Sequence, residues 1–131
     1  MKATLTVLTV AATMFASSAS AFDPAHLQQL KNTGKCATCD LGGADLSGTD
    51  LGGTNLSGAK LISANLRGAN LRGAKLISAN LRGADLGGTN LRDADLSGAD
   101  LGDANLSGAY MQGAALCNTT MPDGSVIYSG C

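Results

Sequence analysis

The chain has 131 residues, nine basic side chains against ten aspartates, and only two tyrosines and two phenylalanines, so it allows one domain at most and offers no large charge excess. With 18 glycines and no tryptophan, a core of bulky interdigitating aromatics is excluded, and whatever core exists must be thin and repetitive. The near-even charge balance implies no strong electrostatic partner.

Residues 1–21 differ in kind from the rest. Lys2 supplies a short positive start, Thr4 to Phe15 form a mostly apolar stretch, and Ala19, Ser20 and Ala21 give a small-residue cleavage pattern. This reads as a secretory signal peptide. A membrane anchor fits less well, because the apolar stretch falls short of the roughly 20 residues a bilayer demands and Ser17, Ser18 and Ser20 interrupt it. No cysteine lies near the cut to accept a lipid. Cleavage after Ala21 predicts an exported protein, periplasmic or extracellular, that begins at Phe22 and has no membrane attachment thereafter.

Residues 22–38, opening "FDPAHLQQLKNTGK", carry the punctuation of a short capping helix. Asp23 suits the N-cap, Pro24 the first helical position, and Gly34 the place just past the end. Phe22 and Leu27 are spaced for a hydrophobic staple. His26 is the only histidine and reads as a solvated helix residue, since no second histidine is available to complete a triad or a metal site.

From Cys39 onward a five-residue register never slips. Leucine stands at every fifth position from Leu41 to Leu106 and again at Leu116, with Met111 and Met121 in the two remaining places. Two residues before each stands Ala or Thr, apart from Cys39 at the start. The position between is nearly always Asp or Asn, and the spacer is commonly Ser, Gly or Arg followed by Gly. Neither a helix, at 3.6 residues per turn, nor a flat strand, at two, gathers every fifth side chain on one face. The sequence specifies a solenoid.

Residues 39–121 resemble the pentapeptide-repeat family, whose motif is A(D/N)LXX. The resemblance implies an all-β fold, a right-handed quadrilateral β-helix in which each pentad makes one side, four pentads make one coil, leucine points to the axis and the small residue tucks in beside it. At that geometry 39–121 gives about four coils stacked about 4.8 Å apart. One core ladder is then Leu41, Leu61, Leu81, Leu101 and Met121. Spacer glycines supply the positive φ that some tight turns need. Residues 122–131, with the Pro122-Asp123-Gly124 turn, form a C-terminal cap, as the helix caps the other end; terminal coils need such cover because their unpaired edges invite aggregation.

Four cysteines allow three pairings. In this architecture Cys36 and Cys117 lie on the order of 19 Å apart along the axis, whereas a disulfide needs Cα atoms within about 7 Å. Disulfides from Cys36 to Cys39 and from Cys117 to Cys131 are therefore expected in an exported protein. The same distance excludes a four-cysteine zinc site. A redox-active C-x-x-C lacks its βαβ setting, and a plain buried thiol at the small inward position of Cys39 is the alternative.

The stretch 59–73 is repeated almost unchanged as 74–88, which is three sides of a four-sided coil. Inward residues are indifferent to this, but Ile62 and Ile77 fall on different sides, as do Arg67 and Arg82. The duplication reads as growth of a rod, not multiplication of a site.

The walls offer no chemistry. Asp45, Asn65, Asp85 and Asn105 stack as an alternating ladder that keeps carboxylates apart. Such oxygens suit calcium in principle, yet the calcium-repeat signature is absent, and bonding to turn backbone is the expectation. Arg72 and Arg92 stack with Asp93 beside them and no aromatics interleave, so nucleic-acid binding is not expected. There is no catalytic constellation, metal site or cofactor site. The expected function is a non-catalytic exported structural or protein-interaction rod. The alternative comes from the resemblance, which implies that some members mimic a DNA duplex and bind DNA gyrase; that role wants an acidic, dimeric, cytoplasmic protein.

Overall fold

A computed structural model describes residues 22–128 and 131. The signal-peptide expectation, at 1–21, lies outside the described residues.

Helix α1 spans Pro24–Thr33 and is bounded as the punctuation dictates. The Asp23 carboxylate accepts from the Ala25 N–H at 2.9 Å, and Gly34, at φ 66°, donates its N–H to the Leu30 carbonyl at 2.9 Å. Leu30 is buried, and Phe22 and Leu27 pack against the same core. The helix is tied to the solenoid by the Asp23 N–H, which donates to Asp40 O at 3.0 Å.

Beyond the helix the backbone pairs with itself twenty residues on. Parallel bridges run from Lys35↔Asn55 through Asp100↔Thr120, one per pentad, always between residues twenty apart. Five-residue sides at a twenty-residue period give four faces. Face one carries Leu41, Leu61, Leu81, Leu101 and Met121; face two carries Leu46, Leu66, Leu86 and Leu106. Face three carries Leu51, Leu71, Leu91 and Met111; face four carries Cys36, Leu56, Leu76, Leu96 and Leu116. The leucines from Leu41 to Leu101 are at most 4 % exposed, so the inward register is the one the pentads specify. Each contributes roughly 1.5 to 3 kcal/mol by burial.

Two features differ from expectation. The ladder begins at Lys35, one pentad before Cys39, because Gly34-Lys35-Cys36-Ala37-Thr38 adopts the pentad geometry: Cys36 N–H donates to Asn55 O at 2.8 Å, and Cys36, fully buried, holds a leucine's place. Extended strands are nearly absent. The bridges are isolated, since only one residue per side pairs before the chain turns. Strands longer than one residue occur, among the described residues, only as β1 (Thr119–Thr120) and β2 (Val126–Ile127), an antiparallel hairpin at the C-terminal end.

Every corner is one turn. At the corner after Leu61, the Ala64 N–H donates to Leu61 O at 3.0 Å and Ser63, third in the turn, has φ 58°. That is the positive φ a type II turn requires there, normally met by glycine. Gly48, Gly68, Gly88 and Gly108 satisfy it on face two. Ser63, Ser78, Asp93, Asp103, Asn118 and even β-branched Thr38 adopt it without that freedom, at φ 58–60°. Buried threonines at small inward positions bond within the core: Thr89 and Thr119 hydroxyls donate to Leu66 O and Leu96 O at 2.6 and 2.7 Å.

Candidate functional site

Where the outward residue before a leucine is Asp or Asn, it does the same job from pentad to pentad. Asp40, Asp45, Asp50, Asn55, Asn65, Asn70 and their counterparts accept a hydrogen bond from the backbone N–H two residues on, at 3.0–3.2 Å in Ser47→Asp45, Gly87→Asp85 and Gly42→Asp40. The side chains that looked most able to do acid or base chemistry are thus committed to holding corners. Three carboxyls are held below the usual aspartate range. Asp45 is lowered chiefly by the Ser47 hydroxyl, Asp85 chiefly by the Gly87 N–H with Arg67 adding to it, and Asp123 chiefly by the Ser125 hydroxyl. A lowered carboxyl is ionised and a weak base, the opposite of what a proton-transferring group needs.

The arginines are partnered across coils. Arg67 meets Asp85 at 3.3 Å, Arg72 meets Asp93 at 3.5 Å, and Arg82 meets both Asp100 and Asp103 at 3.4 and 3.3 Å. Arg92 lies over the Tyr110 ring, 4.4 Å from its centroid. That corrects the expectation that no aromatic accompanies the arginines of face three, although Tyr110 is occupied by this chain's own cation. In the ladder Asp45, Asn65, Asp85, Asn105, the Asn105 amide donates to Asp85 at 3.0 Å. Among the described residues no group of three or more His, Cys or Asp side chains is placed to hold a metal ion.

Lysines behave differently. Among the described residues Lys35, Lys60 and Lys75 form no ion pair with a carboxylate. Lys35 and Lys75 stack on either side of Asn55 on face four. They line a groove of about 430 Å³ where the end of α1 meets the corner at Gly52 and Gly53. Lys60 is on face one, the neighbouring wall. The exposed isoleucines, Ile62 at 43 % and Ile77 at 38 %, follow Lys60 and Lys75 by two residues on the same two walls. These three lysines, with the two isoleucines beside them, form a ridge along faces four and one whose cations make no ion pair, although Lys60 and Lys75 stand next to Asp40 and Asp95 in their ladders.

The structure sets Cys36 and Cys39 with Cα atoms 5.2 Å apart, and Cys117 and Cys131 4.8 Å apart, both pairs disulfide-bonded. Cys36 and Cys39 are both buried, at 0 and 3 % exposure, so the first pair lies in the core and not on a surface where a redox partner could reach it. The ladder from Leu41 to Leu101 is fully buried, while Met121 is half-buried. His26 does not stand free in solvent as expected. Its Nδ1 accepts the Asp40 N–H at 2.8 Å, and Nε2 lies 3.6 Å from Asp23. The first coil's amide has no preceding coil to bond, and the histidine supplies the missing acceptor. The spacing His26 to Asp40 carries no sequence signal for this.

With this geometry in place, comparison with known proteins is direct. A sequence model of pentapeptide repeats matches residues 39–76, 74–113 and 88–121, in eight copies. The chain belongs to the pentapeptide-repeat family, whose members fold as right-handed quadrilateral β-helices. Among solved structures it is similar to a pentapeptide repeat protein from the Arabidopsis thaliana thylakoid lumen, with 34 % identity over 76 % of this chain and 73 % of that one, at a TM-score of 0.48. It is similar to another from Nostoc PCC 7120, with 40 % identity over 78 % and 82 % of the two chains, at a TM-score of 0.42. A third is HetL of Nostoc sp. strain PCC 7120, described as involved in heterocyst differentiation regulation, with 38 % identity over 71 % of this chain at a TM-score of 0.40. The match spans about half the length of HetL, 51 %. Comparison with curated proteins found no match.

Proposed function

We propose that this protein is a non-catalytic exported rod that works by binding other proteins. One observation carries the reading: the wall's polar groups are spent internally, carboxylates on corner amides and arginines on carboxylates or Tyr110, which leaves a surface suited to contact and unsuited to reaction. The finer architecture belongs to the same reading. The rod has about four coils at about 4.8 Å each, α1 closes its N-terminal end, and the two cysteine pairs staple the ends after export into an oxidising compartment. The ridge of Lys35, Lys60, Lys75, Ile62 and Ile77 is the wall on which a partner with acidic and apolar groups would settle. A DNA-mimicking gyrase binder would want evenly acidic walls, and those three lysines interrupt them.

The test is fractionation with a C-terminal tag, followed by capture of partners with the oxidised mature chain and with a Lys35→Glu, Lys60→Glu, Lys75→Glu variant. Export with cleavage near Ala21, and a partner held by the first and lost by the second, is the expected result. An uncleaved cytoplasmic product that copurifies with gyrase would overturn it.

A further inference from the structure

On faces two and three the outward ladders are closed by their own side chains. The amides of Asn70 and Asn105 donate to Asp50 and Asp85 one coil earlier, at 2.9 and 3.0 Å, and the Asn90 amide reaches Asn70 at 3.4 Å. In each case the preceding rung is Asp or Asn and can accept. Face four departs from this at its N-terminal end, where Asn55 stands between Lys35 and Lys75. An ammonium has no acceptor to offer. The Asn55 Oδ1 is taken by the Ser57 N–H at 3.1 Å, and the Asn55 amide donates to no group among the described residues. Three consecutive rungs therefore present donors alone, two of them cationic.

These rungs border the groove of about 430 Å³ at the end of α1, which Thr33, Gly34, Gly52, Gly53 and Thr54 complete. A Cβ at Gly53 would meet nothing within 4 Å, so the corner leaves the groove open. The acceptors around it are already occupied. The Gly34 carbonyl receives the Asn55 N–H at 2.9 Å and the Lys35 carbonyl receives the Gln29 amide at 2.8 Å. Asp50, the carboxylate adjoining the corner, accepts from the Gly52 N–H at 3.1 Å and from the Asn70 amide at 2.9 Å. Asp95, the rung beyond Lys75, accepts from the Ser97 N–H at 3.0 Å and makes no ion pair. Arg72, one coil above Gly52, is spent on Asp93 at 3.5 Å. What the groove lacks is an anion.

The charge and shape of that anion follow from the donors. Coils about 4.8 Å apart set the Lys35 and Lys75 backbones roughly 10 Å apart, so two flexible lysine stems can converge on one group above Asn55. A phosphate carries a charge of about −1.5 to −2 at pH 7 and three acceptor oxygens, which matches two ammoniums and one amide. Lysine also suits phosphate as a point charge. The groove falls within the range of small-molecule sites, about 300 to 1,000 Å³. We propose that it binds a phosphate group, free or on a small ester, over the Asn55 amide between Lys35 and Lys75, the rest of an ester lying over Gly52 and Gly53. The site shares two lysines with the protein-binding ridge but does not depend on that reading.

The test is a chemical-shift titration of the isotope-labelled, oxidised protein with sodium phosphate and with glycerol 3-phosphate at fixed ionic strength, glycerol serving as the uncharged control. Saturable shifts at the Asn55 side-chain amide and at the Lys35, Gly52 and Gly53 N–H groups are expected with both phosphates and not with glycerol. A tighter hold on the ester upholds the site with the organic part over the glycine corner; an equal hold upholds it with free phosphate as the ligand. Lys35→Gln with Lys75→Gln should weaken binding about tenfold or more, while Lys60→Gln, on the neighbouring wall, should change it less than about twofold. Asn55→Asp is the sharper variant. It keeps the acceptor for Ser57, supplies the anion that the ladder lacks, and should abolish binding without lowering the melting temperature, a combination that a merely structural asparagine would not give. The absence of saturable shifts with either phosphate overturns the proposal. Equal weakening by Lys60→Gln overturns it too, as does an Asn55→Asp variant that binds as the parent does. Partner capture without phosphate binding overturns this site and leaves the ridge standing, whereas phosphate binding without a captured partner upholds it.

Discussion

Replacing Leu81 by aspartate, set beside replacing its neighbour Asn80 by the same residue, tests the inward register most directly. Leu81 is fully buried between Leu61 and Leu101 on face one. Its loss removes about 1.5 to 3 kcal/mol of burial. Placing a hydroxyl or carboxyl in that apolar column without a partner adds roughly 2 to 7 kcal/mol, even in the protonated form. The sum is comparable with the whole stability of a small domain, about 5 to 15 kcal/mol. Asn80 is half-exposed, and its Oδ1 accepts the Arg82 N–H at 3.2 Å, which a carboxylate does equally well. The carboxylate of Asn80→Asp would stand between Lys60 and Asp100 in the ladder, so attraction and repulsion largely offset. Its effect should stay within about 0.5 kcal/mol, as for ordinary surface changes. Thermal and urea unfolding followed by circular dichroism read both variants. Leu81→Asp should fail to fold or to accumulate, while Asn80→Asp melts with the parent; if the two melt alike, the inward assignment is wrong.

At the corners, Gly68→Ala should cost about 1 to 2 kcal/mol although its Cβ would meet nothing within 4 Å, because φ 65° is the left-handed region. Gly87→Ala, whose Cβ meets only the swinging Arg67 guanidinium and the Asp85 carboxylate, should cost less than about 1 kcal/mol in the same denaturation assay. Asp45, Asp85 and Asp123 have lowered folded pKa values, so their contribution is fully present above the unfolded value near pH 4 and is lost as pH falls through the folded values. Asp45→Asn keeps the corner acceptor without the titration. It should leave stability at pH 7 nearly unchanged and flatten the acid limb of a melting-point profile; an unchanged acid limb would show that Asp45 does not contribute. Opening the loop from Cys117 to Cys131, of sequence separation 14, by alanine at both positions should cost up to about 3 kcal/mol by chain entropy. The short link from Cys36 to Cys39 has little such entropy to lose, so serine at both positions should act through packing, placing hydroxyls at two buried core sites. Mild reduction followed by melting separates the two if each pair is removed in turn.

The period, the inward ladder and the small residue beside it were legible because a solenoid writes one rule many times. Wherever the sequence reads Ala-Asp-Leu or Ala-Asn-Leu between Ala44 and Leu96, the structure buries the outer two and leaves the middle one half-buried or exposed. What was not legible sits where the rule lacks a neighbouring coil. Cys36 occupies a leucine's place without being a leucine, and its one sequence signal is that it stands five residues before Leu41. His26 is held by Asp40 because the first coil has an amide with nothing beneath it, a contact fourteen residues apart that no local pattern encodes. Positive φ at glycine corners followed from composition, but Thr38, Ser63 and Ser78 are driven there by closure of the coil against their own preference. At the C-terminal end the chain leaves the helical path nineteen residues after Leu101: Val126 and Ile127 turn back to pair antiparallel with Thr120 and Thr119, and Cys131 is bonded to Cys117.

The duplicated stretch shows how a rod can lengthen without acquiring a new site. Copying three pentads rotates each outward residue to the adjacent wall, which takes Arg67 on face two to Arg82 on face one. Both arginines nonetheless find an aspartate one coil up, Asp85 and Asp100, each eighteen residues on. The two aspartates have the same origin in the stack: each precedes the leucine of its own face in the next coil, where the pentad carries Asp or Asn at all but five places, Lys60, Lys75, Tyr110, Ala115 and Thr120. An arginine placed after any leucine therefore has good odds of meeting a carboxylate or amide, whichever wall it lands on, and the wall neutralises itself. The exceptions are the two Lys-Leu-Ile cassettes at Lys60 and Lys75. There the residue before leucine is itself the cation, so no corner carboxylate is available on that step and the isoleucine beyond it stays exposed.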